Sequence, residues 1–169
     1  MPHVVDCEIK AHQEALFRAG VNVDLVPPDA DFDRYRLLLT PCLQVLPDAL
    51  AERLEAFVRA GGVLLADTRF GVKDEHNRCH PRTLPGKLAK VFGIVIPEYD
   101  AIGGNDWHRD PAETAFPLAA TAAFPGDYTC HRHVDWIEAK GAEVLLRHTA
   151  WHLQGHAALT RHRCGQGQA

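Results

Sequence analysis

The sequence predicts an α/β protein with an open, mostly parallel sheet and helices on both faces. Three observations carry that prediction. Tyr35-Arg36-Leu37-Leu38-Leu39-Thr40 and Val63-Leu64-Leu65-Ala66-Asp67 are short, almost continuously apolar runs, as expected of strands covered on both sides. Between them, Asp48 to Ala60 places Leu50, Leu54, Phe57 and Val58 on one helical stripe. A strand, a helix and a strand joined by short links make a βαβ unit, which requires a parallel pair and a right-handed crossover.

The other elements follow in chain order. Asp6 to Ala19 reads as a helix with Ile9, Leu16 and Phe17 on one face, closed by Gly20. Val21 to Val26 alternates and stops at Pro27-Pro28, which predicts a strand. Pro47-Asp48 opens the central helix and Gly61-Gly62 ends it. Thr68 to Pro85 is a long polar loop, and loops of that length in a compact domain are functional or disordered. A short helix over Leu84 to Phe92 ends at Gly93, and Ile94-Val95-Ile96 is a strand. Gly103 to Pro125 has no clean period and is expected to be irregular. Tyr128 to Ile137, Glu143 to Arg147 and Ala157 to Arg161 read as strands, with turns near Gln154-Gly155 and at Gly165-Gln166-Gly167. No internal repeat is present.

Composition narrows the function. The 169 residues make one domain, too short for a (β/α)8 barrel of about 250 residues. Eighteen basic and 22 acidic residues give a formal charge of −4, without the basic footprint of a nucleic-acid binder. No apolar run approaches the ~20 residues that span a bilayer, and the first residues lack a secretory h-region. Five scattered cysteines without a CxxC pair suit reduced thiols in the cytoplasm.

Several residue groups invite chemistry. Glu52 and Glu55 share the central helix with Arg53 and Arg59, the pattern of a solvated charged face. His148, His152 and His156 would align metal ligands on a helix, but Gly155 favours a hairpin instead. His131 with His133, and His76 with Cys79 and His80, are further ligand types close in sequence, each more simply read as incidental. No metal or cofactor site is assigned, so a His/Cys metal-binding module stands as an alternative only. The segment Arg69 to Glu75 follows a strand end, and in open parallel sheets ligands sit outside the carboxyl ends of strands.

Ala15-Leu16-Phe17-Arg18-Ala19-Gly20-Val21-Asn22-Val23-Asp24-Leu25-Val26-Pro27-Pro28 and Leu37-Leu38-Leu39-Thr40-Pro41, then Ala60-Gly61-Gly62-Val63 and Arg69-Phe70-Gly71-Val72-Lys73-Asp74-Glu75, resemble a segment of the glycoside hydrolase family 42 β-galactosidases. Leu84-Pro85-Gly86, Glu98-Tyr99-Asp100, Gly141-Ala142-Glu143-Val144-Leu145 and Gly155-His156-Ala157-Ala158-Leu159-Thr160-Arg161 continue the likeness in order. The resembling part is the second, trimerisation domain rather than the catalytic barrel. The resemblance implies a fold similar to flavodoxin and class I glutamine amidotransferases. It implies a non-catalytic role in assembly, with a homotrimer and a catalytic barrel as partners and β-galactoside hydrolysis as the parent activity.

On that resemblance the chain reads as one trimerisation-type domain over 1–169 that lacks the family's first and last strands. The parallel edge so exposed is expected to pair with a neighbouring chain. No catalytic carboxylate is assigned, because the family's Asn-Glu pair is absent: Asn22, Asn77 and Asn105 precede Val23, Arg78 and Asp106. Arg69, Lys73, Asp74 and Glu75 are the candidate barrel-facing or interface residues, against a local ion-pair network as the simpler reading. Trp107, Trp136 and Trp151 are candidate interface anchors, with core packing preferred for Trp136. The amidotransferase likeness raises a stand-alone enzyme as an alternative. Its nucleophile position is held by Arg69, and Cys42 follows Thr40-Pro41 without a relaxing glycine.

Overall fold

The structure, a computed structural model, describes residues 4–101, 115–131 and 133–169. Helix α1 spans Val4–Arg18. Strand β1 (Leu37–Thr40), helix α2 (Asp48–Arg59) and strand β2 (Val63–Ala66) form the expected βαβ unit. β1 and β2 run parallel, with Leu38 opposite Leu64. A 3-10 turn at Gly86–Leu88 leads into the single-turn helix α3 (Ala89–Phe92), which ends on Gly93 in the left-handed region at φ 62°. The remaining strands are β3 (Ile94–Val95), β4 (Tyr99–Ala101), β5 (Phe116–Ala120), β6 (Tyr128–Cys130), β7 (His133–Asp135), β8 (Glu138–Ala139), β9 (Glu143–His148), β10 (Ala157–Arg161), β11 (Arg163–Cys164) and β12 (Gly167–Gln168).

Their pairing corrects the predicted fold class. One four-stranded sheet has the order β1-β2-β12-β11, and only its β1/β2 and β2/β12 pairs are parallel among the described residues. A second four-stranded sheet, β10-β9-β5-β6, is antiparallel throughout, as are the β3/β8 and β4/β7 pairs. This is a mixed, mostly antiparallel architecture with few helices. It is neither the flavodoxin-like nor the amidotransferase-like parallel sheet with helices on both faces. The physical reason is the chain after Gly93. β5/β6, β9/β10 and β11/β12 return directly on their neighbours, as antiparallel ladders allow, whereas a parallel pair needs a long crossover. The one βαβ unit was a sound local reading that does not extend to the other strands.

Three element predictions also change. Val21 to Val26 forms no strand. Phe116–Ala120 is a strand inside the stretch expected to be irregular, and the rest of that stretch up to residue 114 lies outside the described residues. The run from Tyr128 is broken into β6 and β7. Coverage of the parallel pair is one-sided as well: Leu38 and Leu64 are buried, while Leu37 and Leu65 are 39% and 42% exposed.

The main core lies between α2 and the parallel strands. Leu50, Leu54 and Val58 of α2 meet Leu38, Leu64, Phe70, Leu88, Val91 and Ile94. Each such side chain contributes ~1.5–3 kcal/mol on burial. A smaller cluster of Val134 and Leu153, with Phe116, Cys130 and Trp136 against it, sits under the antiparallel strands. Gly167 joins β12 to the end of α2 by close backbone approach: a Cβ there would strike the carbonyl oxygens of Val58 and Gly62.

Candidate functional site

The carboxyl end of β2 is where the two sheet systems meet. Asp67 follows the strand, and its Oδ2 accepts the backbone N–H of Cys42 at 2.8 Å. Arg69 then adopts φ 61°, a conformation uncommon for a residue with a side chain. That geometry turns its backbone N–H onto the carboxylate of Asp135 in β7, at 3.3 Å to Oδ1 and 3.2 Å to Oδ2. Asp135 is only 6% exposed. Burial raises its pKa from 3.8 to about 6, with Asp67 pushing the same way, against the lowering effect of the Arg69 N–H and the Arg69 charge. The Arg69 guanidinium lies over the Tyr99 ring of β4, 4.8 Å from its centroid, and its Nε is buried without a hydrogen-bond partner.

The other candidate residues take a different role. The backbone of Lys73 bridges to Val45 on one side and Cys79 on the other. Its Nζ donates to Asn77 Oδ1 at 2.8 Å. Asp74 Oδ1 accepts the N–H groups of His76 and Arg78 at 2.9 and 2.8 Å. The Arg78 hydrogen bond, more than any other contact, lowers its pKa. Glu75 faces His76 Nε2 at 3.8 Å. The side chains of Lys73, Asp74 and Glu75 therefore contact residues of their own loop, while the Lys73 backbone pairs with residues 44–46 and Arg69 reaches β7 and β4.

A cavity of about 260 Å3 opens beside Asp67, Thr68 and Asp135 and extends past Cys130 and His148. Cys130 Sγ and His148 Nδ1 stand 3.8 Å apart. Burial raises the thiol pKa and lowers that of the imidazole, so the neutral pair is favoured. An activated nucleophile needs the opposite shifts. Sequence reading passed over Asp135, Cys130 and His148 as a group, although an Asp following Val134 in a predicted strand was a visible signal.

The remaining motifs resolve into structural contacts. Glu55 pairs with Arg59 at 2.7 Å, and Glu52 lies 3.3 Å from Lys87. Arg53 leaves that charged face: it donates to the carbonyls of Pro28 and Ala30 and stacks over Phe32. His152 meets Asp100 at 3.1 Å, His80 meets the Leu46 carbonyl, and His131 meets Thr129. Among the described residues no group of three or more His, Cys, Asp or Glu is placed to hold a metal ion. Trp136 packs on the smaller core, Trp151 is 61% exposed with its ring tilted 57° against Phe116, and Trp107 lies outside the described residues. No described helix is long and apolar enough to cross a membrane.

The family profile described as "Beta-galactosidase trimerisation domain" matches residues 3–169. The chain belongs to that family. Among curated relatives of this trimerisation domain, β-galactosidase Pbg of Clostridium perfringens is 33% identical over 158 residues, covering 94% of this chain and 22% of the relative. β-Galactosidase BgaA of Clostridium cellulovorans is 35% identical over 160 residues, covering 95% and 23%. The crystal structure of the β-galactosidase from Bacillus circulans sp. alkalophilus superposes with a TM-score of 0.88 at 26% identity, covering 99% of this chain and 24% of that one. The chain thus spans about a fifth of the length of the curated relatives it matches.

Proposed function

We propose that this domain, read as one trimerisation-type unit over 1–169, assembles a β-galactosidase-type enzyme as a homotrimer and takes no catalytic step itself. The observation that carries the reading is the family match along 3–169, combined with relatives that are named β-galactosidases and extend well beyond it. In this reading the parent activity is hydrolysis of terminal β-galactosides by a barrel outside these residues. The loop bearing Arg69, Lys73, Asp74 and Glu75 faces that barrel. Cys79, Cys130 and Cys164, none of them in a disulfide, support a reducing compartment, the cytoplasm.

Light scattering on a sizing column tests the assembly. The expected mass is three times 18.7 kDa, and a monomer at every concentration overturns it. Replacing Arg69 and Lys73 together by Ala tests the loop. An unchanged mass agrees with a barrel-facing loop, and loss of the trimer puts the loop at the threefold contact instead.

A further inference from the structure

The turn between β9 and β10 holds an aromatic side chain in water on a strained backbone. Trp151 is 61% exposed, and its φ of 57° lies in the left-handed region, which is costly for a residue with a Cβ. Such residues persist where the surrounding structure over-determines them, and they cluster at ligand clamps and functional sites. The surroundings do so here. Leu153, two residues on, is only 3% exposed. The backbone N–H groups of Gln154 and Gly155 donate to the carbonyls of Trp151 and His148. Thr149 Oγ1 donates to the Pro117 carbonyl at 2.7 Å. Phe116 meets the indole with ring centroids 4.7 Å apart.

A polar edge adjoins the indole. The His152 ring lies nearly parallel to it, at 16° and 6.5 Å, and also packs on Trp136 at 5.2 Å. His152 Nε2 stands 3.1 Å from Asp100 Oδ2, and both side chains are close to half exposed. Asp100 Oδ1 accepts the Ala101 N–H at 2.8 Å. A carboxylate offers about four lone-pair sites, so Asp100 keeps acceptor capacity for a ligand. With Nε2–H given to Asp100, a neutral His152 has Nδ1 as a second acceptor.

These groups choose the ligand. The carboxylate opposes an anion, and the His152 N–H on it lessens its pull on a cation. A wholly apolar ligand would strip water from Asp100 without replacing the lost hydrogen bonds. A ligand with one C–H face and hydroxyls around its rim suits both halves. The aromatic surface takes the face, and charge-assisted hydrogen bonds take the hydroxyls. A pyranose ring has that form. In a galactopyranoside the axial 4-hydroxyl leaves the opposite ring face lined with C–H groups.

We infer that Trp151, with Asp100 and His152 at its edge, is a non-catalytic binding platform for a β-galactopyranoside. The C–H face of the sugar stacks on the indole, and its hydroxyls donate to the Asp100 carboxylate and the His152 ring. The choice of galactose rests on the reading of the parent activity as β-galactoside hydrolysis. The platform itself does not depend on the trimer.

The test titrates the 15N-labelled 169-residue chain with methyl β-D-galactopyranoside and, separately, with its glucose epimer. The three tryptophans give three indole N–H signals, and Trp151→Gly identifies the one from Trp151. That signal should shift saturably, with a Kd on the order of 1 mM for the galactoside and about fivefold weaker binding of the glucoside. Asp100→Ala should weaken binding about fivefold and Trp151→Gly at least tenfold. Glycine suits the left-handed backbone, so Trp151→Gly should keep its circular dichroism and its Tm. An unmoved Trp151 signal overturns the proposal, as does equal binding of the two epimers. A fall in Tm of more than about 5 °C in Trp151→Gly also overturns it, by making the indole a packing residue. Loss of oligomer mass in that variant overturns it too, by making Trp151 a contact between copies. A wild type that is monomeric but binds the galactoside supports the platform while the assembly reading fails.

Discussion

The backbone N–H of Arg69 donates to both carboxylate oxygens of Asp135, a residue 66 positions further along the chain. This contact ties the carboxyl end of the parallel pair to the antiparallel strand β7. Its acceptor is buried and titrates near 6, so the junction is sensitive to pH. The folded state holds a proton on Asp135 more tightly than the unfolded state does. The associated stability is fully present below pH 3.8 and is lost as pH rises through about 6. The expected loss from this group is up to about 3 kcal/mol between roughly pH 4 and pH 7. Asp135→Asn keeps an acceptor for Arg69 and removes the ionisation. Urea titrations across that range should show the wild type losing stability relative to Asp135→Asn. A constant difference would exclude the buried carboxylate as the cause.

The Lys73–Glu75 segment separates two neighbouring carboxylates. Asp74 holds two backbone N–H groups of its own turn, whereas Glu75 is exposed beside His76. Asp74→Ala should lower Tm measurably and raise the proteolysis rate in the segment 74–80. Glu75→Ala should leave both unchanged. Since the Asp74 pKa is lowered in the folded state, its contribution is present above the ordinary Asp range and fades as pH falls through it. Calorimetry at neutral and acid pH reads both effects, and equal responses of the two variants would refute the distinction.

How far the sequence reveals this molecule depends on the range of the interaction. The α2 stripe, its closing glycines and the β1/β2 pair were legible, because periodicity and turn chemistry within 30 residues determine them. Lys73, Asp74 and Glu75 were legible as a polar loop at a strand end. The partners of Arg69 were not, since Asp135 and Tyr99 arrive from β7 and β4 through pairings that no local pattern encodes. Val21 to Val26 has a strand's alternation, but among the described residues no strand completes a ladder with it, so the pattern alone does not assign one. The sheet class failed for a related reason: the apolar runs specify strands, while direction depends on what connects them.

Gly167 offers a test of how the end of the chain is held. The residue packs where the carbonyls of Val58 and Gly62 leave room for a hydrogen only, and Gln168 pairs with Val63. Gly167→Ala must displace β12 from the end of α2. A loss of roughly 2–4 kcal/mol is expected by the strain and overpacking mechanisms, read by urea unfolding. Gly155→Ala, where no atom lies within 4 Å but φ is +87°, should cost only the backbone strain of about 1 kcal/mol. Similar losses for both would show that packing against α2 is not what Gly167 provides.

The described thiols should differ in reactivity in an order set by burial. Cys79 is exposed, Cys164 is 7% exposed, and burial raises the pKa of Cys130 beside a neutral-favouring His148. Thiolate fraction and access together set the alkylation rate. Iodoacetamide labelling at neutral pH, mapped by mass spectrometry, should modify Cys79 first and Cys130 and Cys164 only slowly. Mild urea should close the gap by opening the core. If Cys130 instead labels faster than Cys79 in the folded chain, His148 is drawing its proton, and the inert pair inferred from their burial is wrong.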